Sequence, residues 1–341
     1  MSRTGSGRAG RRGGAWRAVV VGLAVGCAGV AAAPVAAADH GPGGASRPAT
    51  YQLPGQPAGS TFEGIGLDAR RGVFYVSEVT GGEISRGRVD TPLARAWLGG
   101  NDTDGRITAR GITVDRQGRV YIAGGPNRTS DPARPDRPDL WVYSSEGRLL
   151  AALQVPAGGA FLNDVTIGPD GAAYFTDSSP TPRIFRVAQD RSGWSVTLWR
   201  DATATIPTQA GFNLNGIVAT PDGRALLAVQ SVTGRLWRFD LRSDRIDPVP
   251  VTGGADLTGG DGLVRHGATL YVVRNFPRQL VTLRLTDGFA RATLVSAVAT
   301  DADRVFTTAA YDRGRLLAVD SRFDDGPAAV PPYEVVALPV R

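Results

Sequence analysis

The chain has 341 residues, enough for one large or two ordinary domains, and its hydrophobic content of 42% is ample for a core. Forty-five glycines and 23 prolines indicate many turns, and the residues between them (rich in Val, Ile, Leu, Tyr and Thr) favour strands over helices. The net charge of +6 does not indicate a nucleic-acid partner, because five arginines lie within residues 1–38 and the rest carries 33 arginines against 32 acidic residues.

Residues 1–38 have the pattern of an export signal. A basic segment containing Arg11-Arg12 precedes an apolar, Ala- and Gly-rich stretch, and Ala36-Ala37-Ala38 offers a small-residue cleavage site. We therefore predict a signal peptide over 1–38 and a secreted protein without a transmembrane anchor after processing. Export would use the Sec route or, through Arg11-Arg12, the twin-arginine route. An uncleaved membrane anchor and lipid attachment at Cys27 are the alternatives.

The scarcity of cysteine and histidine limits the chemistry that the mature chain can perform. Cys27 is the only cysteine and is lost on cleavage, so no disulfide or thiol nucleophile remains. His40 and His266 are the only histidines, which disfavours a serine-hydrolase triad. Carboxylates, amides, hydroxyls, arginine or a metal must carry any reaction.

One hairpin pattern recurs six times after a flexible Gly/Pro/Ser-rich linker at 39–49. Its clearest copy is Leu162–Ser178, where two apolar stretches flank a Pro-Asp-Gly turn. The residues at the equivalent position before the first stretch are Glu63, Arg110, Asn163, Asn215, Asp261 and Thr307. Their separations of 47, 53, 52, 46 and 46 residues leave room for four strands per repeat.

This period predicts an all-β fold, a six-bladed β-propeller over residues 50–341 with four antiparallel strands per blade. We expect Thr50–Leu53 to pair with the C-terminal strand YEVVALPV and close the ring. The irregular segment Gly124–Trp141 is expected to be a long loop, either a lid or rim of the pocket or an unremarkable surface loop.

In a propeller, the first strand of each blade lines the central channel, so the six equivalent residues should gather at one mouth. Asp177, Ser178, Asn275 and Glu78 should return to the same face, outside that ring. Two carboxylates and two amides suit a divalent cation, Ca²⁺ before Mg²⁺, whereas Zn²⁺ or Mn²⁺ would bind without being selected. The alternative is that Asn and Asp before Gly simply form Asx turns.

The motifs FEG, LND…PDG…YFTDS, LNG…PDG and GDGL, in this order over about residues 60–321, resemble the SMP-30/gluconolactonase family of six-bladed propellers. The resemblance implies a divalent metal held by Glu63, Asn215 and Asp261. It implies that Asp261 acts as general base and that Asn163 contacts the metal-bound water or the substrate. The family hydrolyses lactones, typically of sugar acids, and some relatives cleave other esters.

The sequence departs from the family pattern at two places. Phe161 stands where the family commonly has an arginine, and the usual EGP motif is Glu63-Gly64-Ile65 here. These differences alter the pocket wall and leave the substrate open.

The expected function is hydrolysis of a small-molecule lactone or ester by a monomeric, metal-dependent enzyme. Asp261 and Asn163 would be catalytic, and Asn163, Arg110 and Asp177 would bind substrate. Arg110 would stabilise the developing oxyanion or form a structural ion pair. The alternative is a non-catalytic propeller whose metal is structural and whose loops bind an extracellular ligand or protein.

Overall fold

The computed structural model describes residues 47–125 and 136–340, so the predicted signal peptide and most of the predicted linker lie outside the described residues. Within the described residues the chain forms 25 strands and a single 3₁₀ turn, Gly326–Ala328. None of these elements is a helix long and apolar enough to cross a membrane.

The first three blades are regular four-stranded antiparallel sheets in chain order. Blade 1 contains β2 (Phe62–Asp68), β3 (Val73–Glu78), β4 (Ile84–Arg88) and β5 (Arg95–Leu98). Blade 2 contains β6 (Ile112–Val114), β7 (Val120–Ala123), β8 (Leu140–Tyr143) and β9 (Leu149–Leu153). Blade 3 contains β10 (Leu162–Ile167), β11 (Ala173–Asp177), β12 (Arg183–Asp190) and β13 (Gly193–Asp201). The first strand of each blade is its innermost strand.

The remaining blades follow the same plan with two variations. Blade 4 contains β14 (Leu214–Ala219), β15 (Ala225–Gln230), β16 (Arg235–Asp240) and β17 (Ile246–Val249). Blade 5 contains β19 (Gly260–His266), β20 (Thr269–Arg274), β21 (Gln279–Thr286), β22 (Arg291–Ala299) and a short fifth strand, β18 (Val251–Thr252). Blade 6 contains β23 (Phe306–Asp312), β24 (Arg315–Asp320), β25 (Tyr333–Pro339) and the N-terminal β1 (Thr50–Leu53).

Closure of the ring takes place in blade 6, as predicted. β1 pairs antiparallel with β25, from Thr50 opposite Val336 to Leu53 opposite Tyr333. Each innermost strand contacts the next one around the ring, and β23 returns to β2. The all-β, six-bladed propeller is therefore confirmed. Four strands per blade holds for five blades, whereas β18 adds an outer strand that pairs parallel with β22 in the fifth.

The hydrophobic core is divided into six clusters, each lying between two neighbouring blades. The cluster between blades 6 and 1, for example, joins Phe62 and Phe74 to Leu317 and Val335. Because the middle strands are covered on both faces, β3 and β15 are buried along their whole length. This explains why VFYV at the start of β3 and ALLAV at the start of β15 are continuous apolar runs instead of alternating.

The segment predicted as a long loop, Gly124–Trp141, ends earlier than expected. β8 begins at Leu140, so Leu140 and Trp141 are fully buried strand residues. Residues 126–135 lie outside the described part of the chain.

Candidate metal centre and active site

A β-bulge interrupts the innermost strand of five blades at the same place. The pairing register shifts between Phe62 and Ile65 in β2, and at the corresponding positions of β10, β14, β19 and β23. The residue predicted to belong to the ring lies inside each bulge. Because a bulge re-aims side chains, this repeated irregularity brings the ring residues together at one channel mouth. We call the face at which the innermost strands begin the site face.

Four ring residues meet around one small cavity of about 10 Å³. Glu63, Asn163, Asn215 and Asp261 line it and are each at least nine-tenths buried. A space of this size holds about one water molecule or one ion of similar size. Thr307, the sixth ring residue, lines the cavity as well, and its hydroxyl donates to the carbonyl oxygen of Glu63 at 2.7 Å.

The glycine that follows a ring residue serves close packing between blades. Gly64, Gly216 and Gly262 lie within strands, and a Cβ on Gly216 would lie 2.3 Å from the carbonyl oxygen of Asp261. A Cβ on Gly64 would lie 2.3 Å from the carbonyl oxygen of Arg110. The alternative of simple Asx turns is therefore wrong at Asn215 and Asp261, since both belong to bulged strands.

Hydroxyl groups of one blade hold the ring residue of the next. The Thr176 hydroxyl donates to the carbonyl oxygen of Asn215 at 2.7 Å, and the Ser77 hydroxyl donates to that of Arg110. The Ser178 hydroxyl donates to the carbonyl oxygen of Leu214, also at 2.7 Å. These bonds fix the relative position of the ring side chains before any ligand binds.

The carboxylates of the cavity are held in an unfavourable environment for negative charge. Burial raises the pKa of Glu63 well above its usual value, Arg110 opposes this, and the negative charges of Asp261 and Asp164 add to it. Burial also raises the pKa of Asp261 to about 7, although hydrogen bonds from Asn215 and Asn275 oppose the rise. The Asn275 amide donates to Asp261 Oδ2 at 2.8 Å.

Asp164 is a third carboxylate at the cavity, and sequence reasoning did not place it there. Its oxygens accept the backbone N–H groups of Val165 at 2.8 Å and Ile217 at 3.0 Å, which joins blades 3 and 4. Burial raises its pKa to about 6. A signal existed, because the residue after the ring position is glycine in four of the six copies and Asp164 in the third.

Arg110 and Asp177 do not line the cavity. Arg110 Nε lies 3.8 Å from Glu63 Oε2, and its guanidinium stacks 4.0 Å from the centre of the Phe161 ring. Asp177 is fully buried, accepts the N–H groups of Phe161 and Ser179 at 2.9 Å, and pairs with Arg183. Arg110 therefore borders the site, whereas Asp177 supports the segment that carries Phe161.

A divalent cation fits the donor set of this cavity. In residues 47–125 and 136–340, no atom forms a hydrogen bond with the buried Glu63 Oε2. The same residues contain no group of three His, Cys, Asp or Glu side chains arranged to hold a metal, so a cation would also need the amide oxygen of Asn215. Carboxylate and amide oxygens are the ligands that Ca²⁺ prefers, and a cation would relieve the repulsion between the carboxylates.

Comparison with known proteins identifies the family. The family model described as the SMP-30/gluconolactonase/LRE-like region matches residues 62–266. The chain belongs to this SMP-30/gluconolactonase/LRE-like family. The match confirms the resemblance carried by the blade motifs, and it covers the predicted ligands Glu63, Asn215 and Asp261. A search of curated protein sequences found no significant match.

Solved structures with the same fold include an allergen, a gluconolactonase and a regucalcin. The allergen Mala s 1 of Malassezia sympodialis is 18% identical, with 85% of this chain and 96% of that chain covered and a TM-score of 0.63. A gluconolactonase of Xanthomonas campestris is 17% identical, with 83% and 87% covered and a TM-score of 0.55. The calcium-binding regucalcin of Agrobacterium tumefaciens is 16% identical, with 83% and 95% covered and a TM-score of 0.54. At these identities the likeness supports the β-propeller fold.

Proposed function

We propose that this protein is an exported, divalent-metal-dependent hydrolase of lactones or related esters. One observation carries the proposal: the side chains of Glu63, Asn215 and Asp261 converge on a cavity with room for one ion, and Glu63 Oε2 has no hydrogen-bond partner within 47–125 and 136–340. Membership of the SMP-30/gluconolactonase/LRE-like family supports it. Ca²⁺ is the preferred cation, with Mg²⁺, Zn²⁺ or Mn²⁺ as substitutes.

The chain's own residues divide the work of the proposed reaction. When bound, the cation would polarise the ester carbonyl and increase the acidity of water. Asp261 accepts the proton of the attacking water, and Asn275 holds the carboxylate in place through the bond at 2.8 Å. Asn163, on the same cavity, orients the water or the substrate. Arg110 lies close enough to Glu63 to offset part of its charge.

Export and the monomeric state are part of the proposal. The basic, apolar and small-residue segments of 1–38 support export through a cleaved signal peptide. The nearly balanced charge of the remaining chain supports a small-molecule partner over nucleic acid.

A lactone and aryl-ester panel, assayed with each of the four cations and with chelator, tests the function. We expect hydrolysis of at least one ester that chelator abolishes and one cation restores. Asp261→Asn should remain folded and lose about 10²- to 10⁴-fold in kcat, the usual contribution of a general base. Stoichiometric metal binding without hydrolysis of any ester would refute the enzyme and favour the non-catalytic binding platform. Full activity of Asp261→Asn would remove Asp261 as the base.

A further inference from the structure

Two lines of contacts run outward from the candidate metal centre and end at exposed phenylalanines. The first passes from Glu63 to Arg110 at 3.8 Å, then to Phe161 and to Phe212, with ring centres 5.4 Å apart. The second passes from Asp261 to Asn275, whose side-chain oxygen accepts the N–H of Phe276 at 2.7 Å. Phe212 is 52% exposed and Phe276 is 57% exposed.

These two phenylalanines are unusual for their exposure. Within residues 47–125 and 136–340, no other Phe, Tyr or Trp is exposed to this extent. Both lie on the site face, Phe212 shortly before β14 and Phe276 shortly after β20. Because contacts join both residues to the candidate metal centre, their exposed rings offer apolar surface against which part of a ligand at this site can pack.

The segment that presents Phe212 is rigidly held. The buried Asn213 amide donates to the carbonyl oxygen of Gln209 at 2.9 Å, and Gln230 donates to Asn213 Oδ1 at 3.0 Å. The N–H of Val232 donates to the carbonyl oxygen of Phe212 at 3.2 Å. The backbone that carries the phenyl ring is therefore held in place, which reduces the entropy lost when a ligand binds against it.

Two polar side chains beside Phe161 are already engaged within the protein. The Asp177 carboxylate is used by Phe161, Ser179 and Arg183, and the Ser178 hydroxyl donates to Leu214. A polyhydroxylated lactone whose hydroxyls lie against the phenyl rings would give up hydrogen bonds to water that the rings cannot replace. An alkyl or aryl substituent would lose nothing of this kind and would bury apolar surface.

We propose that Phe161, Phe212 and Phe276 form a substituent-binding wall, which selects lactones or esters carrying an apolar group next to the reacting ester over polyhydroxylated ones. The inference rests on the proposed ester hydrolysis and names its substrate class. Phe161 and Phe212 are in ring contact, and Phe276 lies beside the neighbouring blade on the same face.

The test is a series of δ-lactones with alkyl substituents of increasing length, from δ-valerolactone to δ-octanolactone, compared with glucono-δ-lactone. We expect kcat/KM to rise about fourfold for each added methylene, or about 60-fold for a propyl substituent, and to be lowest for glucono-δ-lactone. Phe212→Ala and Phe276→Ala should each flatten this dependence and leave kcat/KM for unsubstituted δ-valerolactone within about threefold. Leu198→Ala, which removes a side chain 41% exposed on the outermost strand of blade 3, is the matched control and should keep the full dependence.

The outcomes separate this inference from the proposed function. Hydrolysis that is independent of substituent length, or fastest with glucono-δ-lactone, would overturn the wall and leave the hydrolase intact. If no ester is hydrolysed, calorimetry with 6-propyl-2-piperidone and unsubstituted 2-piperidone decides about the wall alone. Tighter binding of the propyl compound, lost in Phe212→Ala, would support the wall, and equal binding of the two would overturn it.

Discussion

Asp261→Asn should stabilise the metal-free protein and at the same time remove its response to metal. The pKa of Asp261 is raised from 3.8 to about 7, mainly by burial. The folded state therefore binds the proton more tightly than the unfolded state does. The contribution of Asp261 to the free energy of unfolding is complete below about pH 4. It is lost as the pH rises towards 7, because the folded protein must then hold a buried charge.

The magnitude follows from the size of this pKa change. A rise from 3.8 to about 7, at 1.36 kcal/mol per pH unit, corresponds to about 4 kcal/mol of lost stability above pH 7. Asparagine has nearly the same shape and carries no charge. Asp261→Asn should thus recover up to about 4 kcal/mol at pH 8 without metal, which raises Tm by roughly 5–10 °C, and almost nothing at pH 4.

Denaturant unfolding at pH 4 and pH 8, with chelator and then with saturating Ca²⁺, measures these differences. With saturating Ca²⁺ wild type should become more stable than Asp261→Asn, because metal binding stabilises wild type by mass action and the variant gains little. Asp244→Asn, at a side chain that is 96% exposed, is the control and should behave as wild type. If Asp261→Asn is less stable than wild type in chelator at pH 8, the buried-charge reasoning is wrong.

Three further predictions concern packing and charge around the ring. Gly216→Ala should lower the free energy of unfolding by about 3 kcal/mol, because the added Cβ would lie 2.3 Å from the carbonyl oxygen of Asp261. Gly158→Ala, where a Cβ would point into open space, is the control and should be neutral. Equal effects of the two substitutions would contradict the close packing at Gly216. Glu78 lies outside the cavity, and burial raises its pKa to about 7. With saturating Ca²⁺ the protein should therefore still lose stability as the pH rises from 4 to 7, and Glu78→Gln should remove this loss. A pH-independent stability with metal bound would count against this. Arg110→Gln should tighten Ca²⁺ binding on the order of tenfold in calorimetry, because the positive guanidinium beside Glu63 no longer competes with the metal ion. Weaker binding would show that Arg110 supports the site.

The fold could be predicted because its signal is repeated. Six copies of one hairpin, with strand, turn and strand readable in most of them, determine blade number and the closing pair of β1 and β25. The fifth strand β18 could not be predicted, since two residues, Val251 and Thr252, carry no pattern and their pairing depends on where β22 lies.

The ring was also accessible from the sequence, because equivalent positions in a repeat occupy equivalent places. The contacts between neighbouring blades could not be predicted from the sequence. Asp164 faces the cavity only because a bulge changes its direction and Ile217 of the next blade supplies an N–H. Asp177 looked like a free carboxylate at the rim, yet Arg183, six residues later, returns to neutralise it.

Calorimetric titration of the metal-free protein with Ca²⁺ at pH 7 is the most direct test of a metal centre at the ring. We expect one ion per chain, with protons released on binding because Asp261, whose pKa burial raises to about 7, is partly protonated at this pH. Glu63→Gln should abolish the binding, whereas Asp244→Asn should retain it. Absence of binding at millimolar Ca²⁺ and with Mg²⁺, Zn²⁺ or Mn²⁺, or binding unchanged in Glu63→Gln, would contradict a metal centre at this ring.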